Sequence, residues 1–189
     1  MIRILEKPAI RHQARPIDLR TYHWMVEQGL VDKKAELIRG VIIEKMSKSP
    51  LHETVVRKLN RWLLAVAAEN MIVSKEGPIS TVDSEPEPDL AVILGSDDDF
   101  ATAHPTTALL AVEVAVSSED IDRAKADIYA QAAIPEFWLV LALEKRIEVH
   151  TLPVDGVYTA SAIYRQGDTV VSGALPALQV PLRELFPAL

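Results

Sequence analysis

The chain contains no cysteine among its 189 residues, which excludes a disulfide framework, a thiolate zinc site, an iron-sulfur cluster and a cysteine nucleophile. Any bound metal must therefore rest on oxygen or imidazole. Basic residues are also scarce: 20 Lys and Arg stand against 27 Asp and Glu, a formal charge of -7 at pH 7. That balance argues against strong nonspecific attraction to nucleic acid, because phosphate neutralisation needs clustered Lys and Arg. It does not exclude a carboxylate metal site, which is acidic by construction until a divalent cation fills it. Apolar runs of membrane-spanning length are missing, and the opening MIRILEKPAIRHQARP puts charges and prolines where a signal peptide needs an apolar stretch. A soluble, cytoplasmic protein with no membrane partner is the expectation. The sequence has no internal repeat and no low-complexity tract.

What is present suits one domain over residues 1–189, with 1–16 as an N-terminal arm and 176–189 as a C-terminal tail: 49% of residues are hydrophobic, enough for a buried core. Asp18 or Thr21 can cap a short helix through Glu27, stopped by Gly29. AELIRGVIIEKM predicts two strands turning at Arg39-Gly40, with Glu36 beside apolar neighbours. Ser49-Pro50 opens an amphipathic helix whose stripe of Val55, Val56, Leu59, Trp62, Leu63 and Val66 ends near Asn70. His52 lies on that stripe, while Arg57, Lys58 and Arg61 lie opposite as a solvated face.

MIVSK and PISTV predict short strands, and SEPEPDLAVIL leads from a proline-stiffened acidic segment into an apolar strand that begins at Asp89. After a loop, ALLAVEVAV predicts a strand covered on both faces, with Glu113 in its middle. Ser117 or Ser118 can cap a helix running to about Ala133, and EFWLVLAL, RIEVHTL, VYTASAIY and TVVSG then predict further strands, the later ones antiparallel. The expected class is α/β with a mixed sheet flanked by helices and extra C-terminal strands.

The chemistry shows where charge replaces an expected apolar residue. An unpaired carboxylate at Glu113 would be costly to bury, so it must be neutralised, paired or bound to metal. Lys125 lies between Ile121 and Ile128 at helical spacing, on the core side of its helix. If the strands of Asp89 and Glu113 are neighbours, two carboxylates and an ammonium converge at one sheet end. With the Val114 carbonyl and waters they would form an all-oxygen site suited to Mg2+ or Mn2+. Such a site can hydrolyse phosphodiesters, with Lys125 steadying the developing charge and Glu36 assisting. His52 and Tyr129 are secondary candidates: a helix-end histidine that could meet a phosphate, and a core-edge residue that could wall the site. Two competing readings remain: a structural Glu113–Lys125 pair in a noncatalytic binding module, and Lys125 as a Schiff-base nucleophile.

The blocks AELIRGVIIEKMS, EPDLAVI, LLAVEVAVSS and DRAKADIYAQAAIPEFWLV, in that order, resemble the Uma-type family described as "putative restriction endonuclease", over about residues 20–172. The resemblance implies the PD-(D/E)xK nuclease fold and a metal-dependent endonuclease acting on DNA. It carries the family's first-strand glutamate to Glu36, its PD aspartate to Asp89, its next-strand glutamate to Glu113 and its lysine to Lys125. Where the simplest motif has lysine, two residues after Glu113, this chain has Ala115; the resemblance implies a lysine moved to the helix. Ala35 replaces a frequent tyrosine and Val41 a frequent acidic residue. The resemblance also implies a homodimer, for which the apolar C-terminal strands and tail are candidate interface.

Overall fold

The structure is a computed structural model and describes residues 13–32 and 34–187. Most of the N-terminal arm therefore lies outside the described residues. Contacts group the chain into two compact units, one of residues up to Lys45 with Val82–Glu85, the other of Met46–Thr81 with residues from Pro86 onward.

The N-terminal unit holds α1 (Leu19–Glu27), β1 (Ala35–Ile38) and β2 (Val41–Glu44). Asp18 caps α1 by accepting from the Thr21 amide at 2.7 Å, an interaction worth about 1 kcal/mol at a helix start. The β1–β2 turn places Arg39 and Gly40 at φ 51° and 71°, the left-handed pair demanded by a two-residue hairpin. At Gly40 a side chain is also excluded by space, since a Cβ would meet Pro16 Cβ at 2.2 Å. Tyr22, Val31, Ala35 and Leu37 form this unit's core.

The second unit is built on a six-stranded sheet in the order β3-β4-β5-β6-β7-β8. These strands are β3 (Met71–Ser74), β4 (Leu90–Leu94), β5 (Leu110–Ala115), β6 (Glu136–Leu141), β7 (Arg146–Val154) and β8 (Val157–Arg165). Only β5 and β6 run parallel, and α3 (Glu119–Gln131) makes the crossover that such a pair requires. Asp155 and Gly156, at φ 50° and 79°, make the tight β7–β8 turn by the same chemistry as Arg39-Gly40. One sheet face, with Val112, Val114, Trp138 and Val140, packs on the stripe of α2 (Pro50–Val66). The other, with Ala111, Ala115, Phe137 and Leu139, lies under α3, where Tyr129 joins it. Helix, mixed sheet and added antiparallel strands are as expected for the α/β class. Among the described residues no helix is long and apolar enough to cross a membrane.

Four local expectations need correction. Helix α2 stops at Val66, because the position one turn on is the polar Asn70 and the chain turns extended at Ala67 (ψ 130°). PISTV forms no strand: Pro78 cannot donate, and the amides of Ile79 and Ser80 bond Pro86 and Pro105 instead of one neighbouring strand. Ser118 stands at the N-cap of α3 but its hydroxyl donates to Asp122 and caps nothing. Lys58 is no plain surface charge, since its ammonium donates to the carbonyls of Glu184 and Leu185 at 2.6 and 3.1 Å. Those carbonyls belong to the end of α4 (Leu182–Leu185), which with β9 (Thr169–Val171) and β10 (Gln179–Pro181) gives the C-terminal tail its structure. The strand in TVVSG pairs with β10 in a separate ladder, not with β8.

Candidate active site

The strands of Asp89 and Glu113 are neighbours. Leu90 pairs with Val112 in the antiparallel β4–β5 ladder, so Asp89 stands one step beyond it, alongside Glu113. Glu113 is held by residues of α3, and Asp89 by His52 of α2, by Lys48 and by the Val114 amide. Glu113, 3% exposed, projects toward α3, where Lys125 Nζ donates to its Oε1 at 3.0 Å and the Tyr129 hydroxyl donates to the same oxygen at 2.6 Å. Lys125 is 4% exposed and Tyr129 fully buried. The inward stripe of α3 is Asp122, Lys125, Ile128 and Tyr129, so helical spacing alone forces both donors onto the sheet. Lys125 also lies 3.8 Å from Asp122.

Asp89, 7% exposed, is fixed from the α2 side. Its Oδ2 accepts from the Val114 amide at 2.8 Å and contacts His52 Nε2 at 3.0 Å, and its Oδ1 accepts from Lys48 at 3.1 Å. Burial, the largest single influence, pushes the Asp89 carboxyl up. The bond and attraction to His52, the Val114 amide and Lys48 together outweigh it and hold the group below its ordinary 3.8. For Lys48, burial pulls the ammonium down, but Asp89 and Glu76, the latter at 3.0 Å, raise it above 10.5. His52 Nδ1 is buried with no hydrogen-bond partner among the described residues.

The expected residues therefore fall into two half-sites joined through one backbone. Glu113, Lys125 and Tyr129 form one, Asp89 and His52 the other, and the Val114 amide, one residue after Glu113, ties them together. Val114 thus takes part through its N–H. Glu36 lies in the N-terminal unit on β1, 3% exposed, with Lys45 Nζ 3.9 Å from its Oε1. That unit also pairs His23 Nε2 with Glu85 Oε1 at 2.8 Å. Sequence reasoning missed Lys48 and Glu76, which sit in irregular segments where no periodicity marks a side chain as inward.

Arg123 forms a third charged group on α3. It lies 2.5 Å from Glu148 Oε2 on β7 and 2.7 Å from Glu119. The hydrogen bond from Arg123 holds the Glu148 carboxyl below its usual 4.5 despite burial. Beside it, burial depresses His150 below 6.5 against the pull of Glu148, with Arg123 adding to the depression.

Chemically, the two half-sites offer carboxylate oxygens and two ammonium groups, Lys125 and Lys48. Among the described residues no three acidic or imidazole side chains cluster as a metal cage. Two carboxylates supplemented by water and substrate phosphate are nevertheless the usual protein share of a Mg2+ site. The donor chemistry fits such an ion, since both half-sites supply carboxylate oxygens and the Asp89 carboxyl is held ionised.

A crystal structure described as a putative nuclease belonging to DUF820 from Anabaena variabilis matches this fold with a TM-score of 0.72 at 15% identity, covering 90% of this chain and 98% of that one. At that identity the likeness establishes the fold. No curated protein matches the chain. The family model Uma2, described as "Putative restriction endonuclease", matches residues 27–183. With that span taking in Glu36, Asp89, Glu113 and Lys125, the chain belongs to the Uma2 family.

Proposed function

We propose that the protein is a divalent-metal-dependent endonuclease that hydrolyses DNA phosphodiesters at Asp89 and Glu113. The supporting observation is the buried Lys125–Glu113–Tyr129 cluster on the strand whose next amide fixes Asp89. Membership in a family described as "Putative restriction endonuclease" points the same way. Asp89 and Glu113 would hold Mg2+ or Mn2+, aided by the Val114 carbonyl. The ion would supply charge neutralisation at the phosphate and acidify water.

The chain's own residues do the rest. Val114 N–H and His52 fix one oxygen of Asp89, while its Oδ1 accepts from Lys48. Tyr129 and Lys125 orient Glu113, and the ammonium of Lys125 stabilises negative charge as it develops on the phosphate. In the reaction the water oxygen bonds to phosphorus, one ester P–O bond breaks, and the water's proton reaches the departing alkoxide through solvent. Glu36 enters through the family pattern, and Glu36→Gln tests its part. A homodimer belongs to the same reading, because two sites could cut both strands of a duplex. The edge strand β8, with Val157 and Ile163 exposed, is its candidate interface.

Calorimetric titration with Mn2+ tests the site apart from turnover. Saturable binding that weakens at least about tenfold in both Asp89→Asn and Glu113→Gln, some 1.4 kcal/mol each, supports the reading. Identical binding by all three proteins refutes it.

One observation favours the noncatalytic module: both carboxylates already have cationic partners, Lys48 and Lys125. Under that reading the cluster is a structural ion-pair network, and metal leaves the melting temperature unchanged.

A further inference from the structure

A half-open pocket of about 360 Å3 lies away from Asp89 and Glu113, at the end of β7 and β8, lined by Leu143, Glu144, Lys145, Arg146, Arg165 and Gln166. Arg146 and Arg165 are direct cross-strand partners. Like charges so placed repel and destabilise a strand pair. Arg146 has its counter-charges, with Nε 2.9 Å from Glu144 and a terminal nitrogen 3.3 Å from Glu148. Arg165 and Lys145 make no ion pair with any described residue. Lys145 moreover holds φ 52° in the turn that opens β7, a conformation that costs a side-chain-bearing residue on the order of 1 kcal/mol and clusters at ligand sites. An uncompensated arginine and lysine around a concave surface are suited to an anion. The guanidinium can grip a phosphate through two parallel N–H bonds, and lysine adds a point charge.

The sheet register says which anion. Ala115, Leu141, Arg146 and Arg165 form one lateral row across β5, β6, β7 and β8. Ala115 is two residues past Glu113 and therefore on the same face. Arg165 is three strand spacings from β5, roughly 14 Å, which corresponds to about four phosphates along one strand of a duplex. A chain of net charge -7 needs such local cations to hold a polyanion at all. We infer that Lys145 and Arg165 form a docking site for a backbone phosphate of nucleic acid, a few nucleotides from the phosphate at Asp89 and Glu113. The inference rests on the proposed nuclease reading for the identity of the polyanion.

The test compares wild type with Lys145→Gln/Arg165→Gln, both at the surface and outside the proposed catalytic cluster. Short-duplex binding is followed by fluorescence anisotropy in EDTA across a salt series. The expected result is about tenfold weaker binding at low salt and a log-log salt slope shallower by 1 to 2, the loss of up to two phosphate contacts. With Mn2+, hydrolysis of a small chromogenic phosphodiester should be unchanged while duplex cleavage falls. Equal affinity and equal slope in the two proteins would overturn the docking site. So would inorganic phosphate perturbing the Lys145 and Arg165 amides by NMR while duplex leaves them unmoved, which would mark a free-anion site. If neither protein hydrolyses any phosphodiester, the nuclease reading fails, and the EDTA binding arm alone still decides the docking site.

Discussion

Lys125→Met removes the ammonium from the α3–β5 contact while keeping most of the aliphatic volume. Glu113, 3% exposed, is then left with Tyr129 but without the cation 3.0 Å from its Oε1. Removing one partner of a buried ion pair costs roughly 3–5 kcal/mol, because the remaining charge stays desolvated. The surviving hydrogen bond from Tyr129 at 2.6 Å places the expected loss at the lower end, about 3 kcal/mol. For a chain of this size that is a fall in melting temperature of roughly 6–12 °C. Glu113→Gln should cost less, about 1–2 kcal/mol, because Lys125 keeps Asp122 at 3.8 Å. The double variant discards both charges, and should be more stable than the sum of the single losses implies by about 2 kcal/mol or more. Urea unfolding, with m-values checked for constancy, supplies the cycle. Single losses within about 0.5 kcal/mol of zero, or strict additivity in the double variant, would refute the reasoning.

Two further outcomes follow from local geometry. Gly40→Ala combines a left-handed φ with a Cβ placed 2.2 Å from Pro16 Cβ; thermal unfolding should show a loss of about 2 kcal/mol, and an unchanged melting temperature would contradict the placement. His150 is depressed below its unfolded value of 6.5, so between those two values the unfolded chain binds more protons. Stability should then rise with pH through that window and fall as acid is added below about 6.5. His150→Gln should flatten this part of the profile, measured by denaturation across pH, whereas an unaltered slope would rule His150 out as its source.

Much of this arrangement was legible because local and tertiary demands agree. Asp155-Gly156 announces a hairpin, since few other pairs accept two left-handed conformations, and Gly40 marks the other between two apolar runs. Lys125 was legible as an anomaly: a charge at helical spacing between apolar residues must find a buried partner, and Glu113 was the anomaly on the strand. Other features depend on contacts that no short window contains. The anchoring of Asp89 depends on His52, 37 residues away. Lys48 sits in the irregular segment before α2, where burial leaves no pattern. The pairing of β9 with β10, and the loss of strand in PISTV, were decided by which distant backbone supplied hydrogen-bond partners.

The most direct measurement of the proposed activity is cleavage of supercoiled and linear DNA with Mg2+, Mn2+ or EDTA, by wild type, Asp89→Ala and Lys125→Ala purified identically. The expected result is cutting by wild type that needs the metal and vanishes in both variants. Cutting that persists in EDTA or in the variants, or no cutting of any DNA together with a melting temperature indifferent to metal, would contradict it.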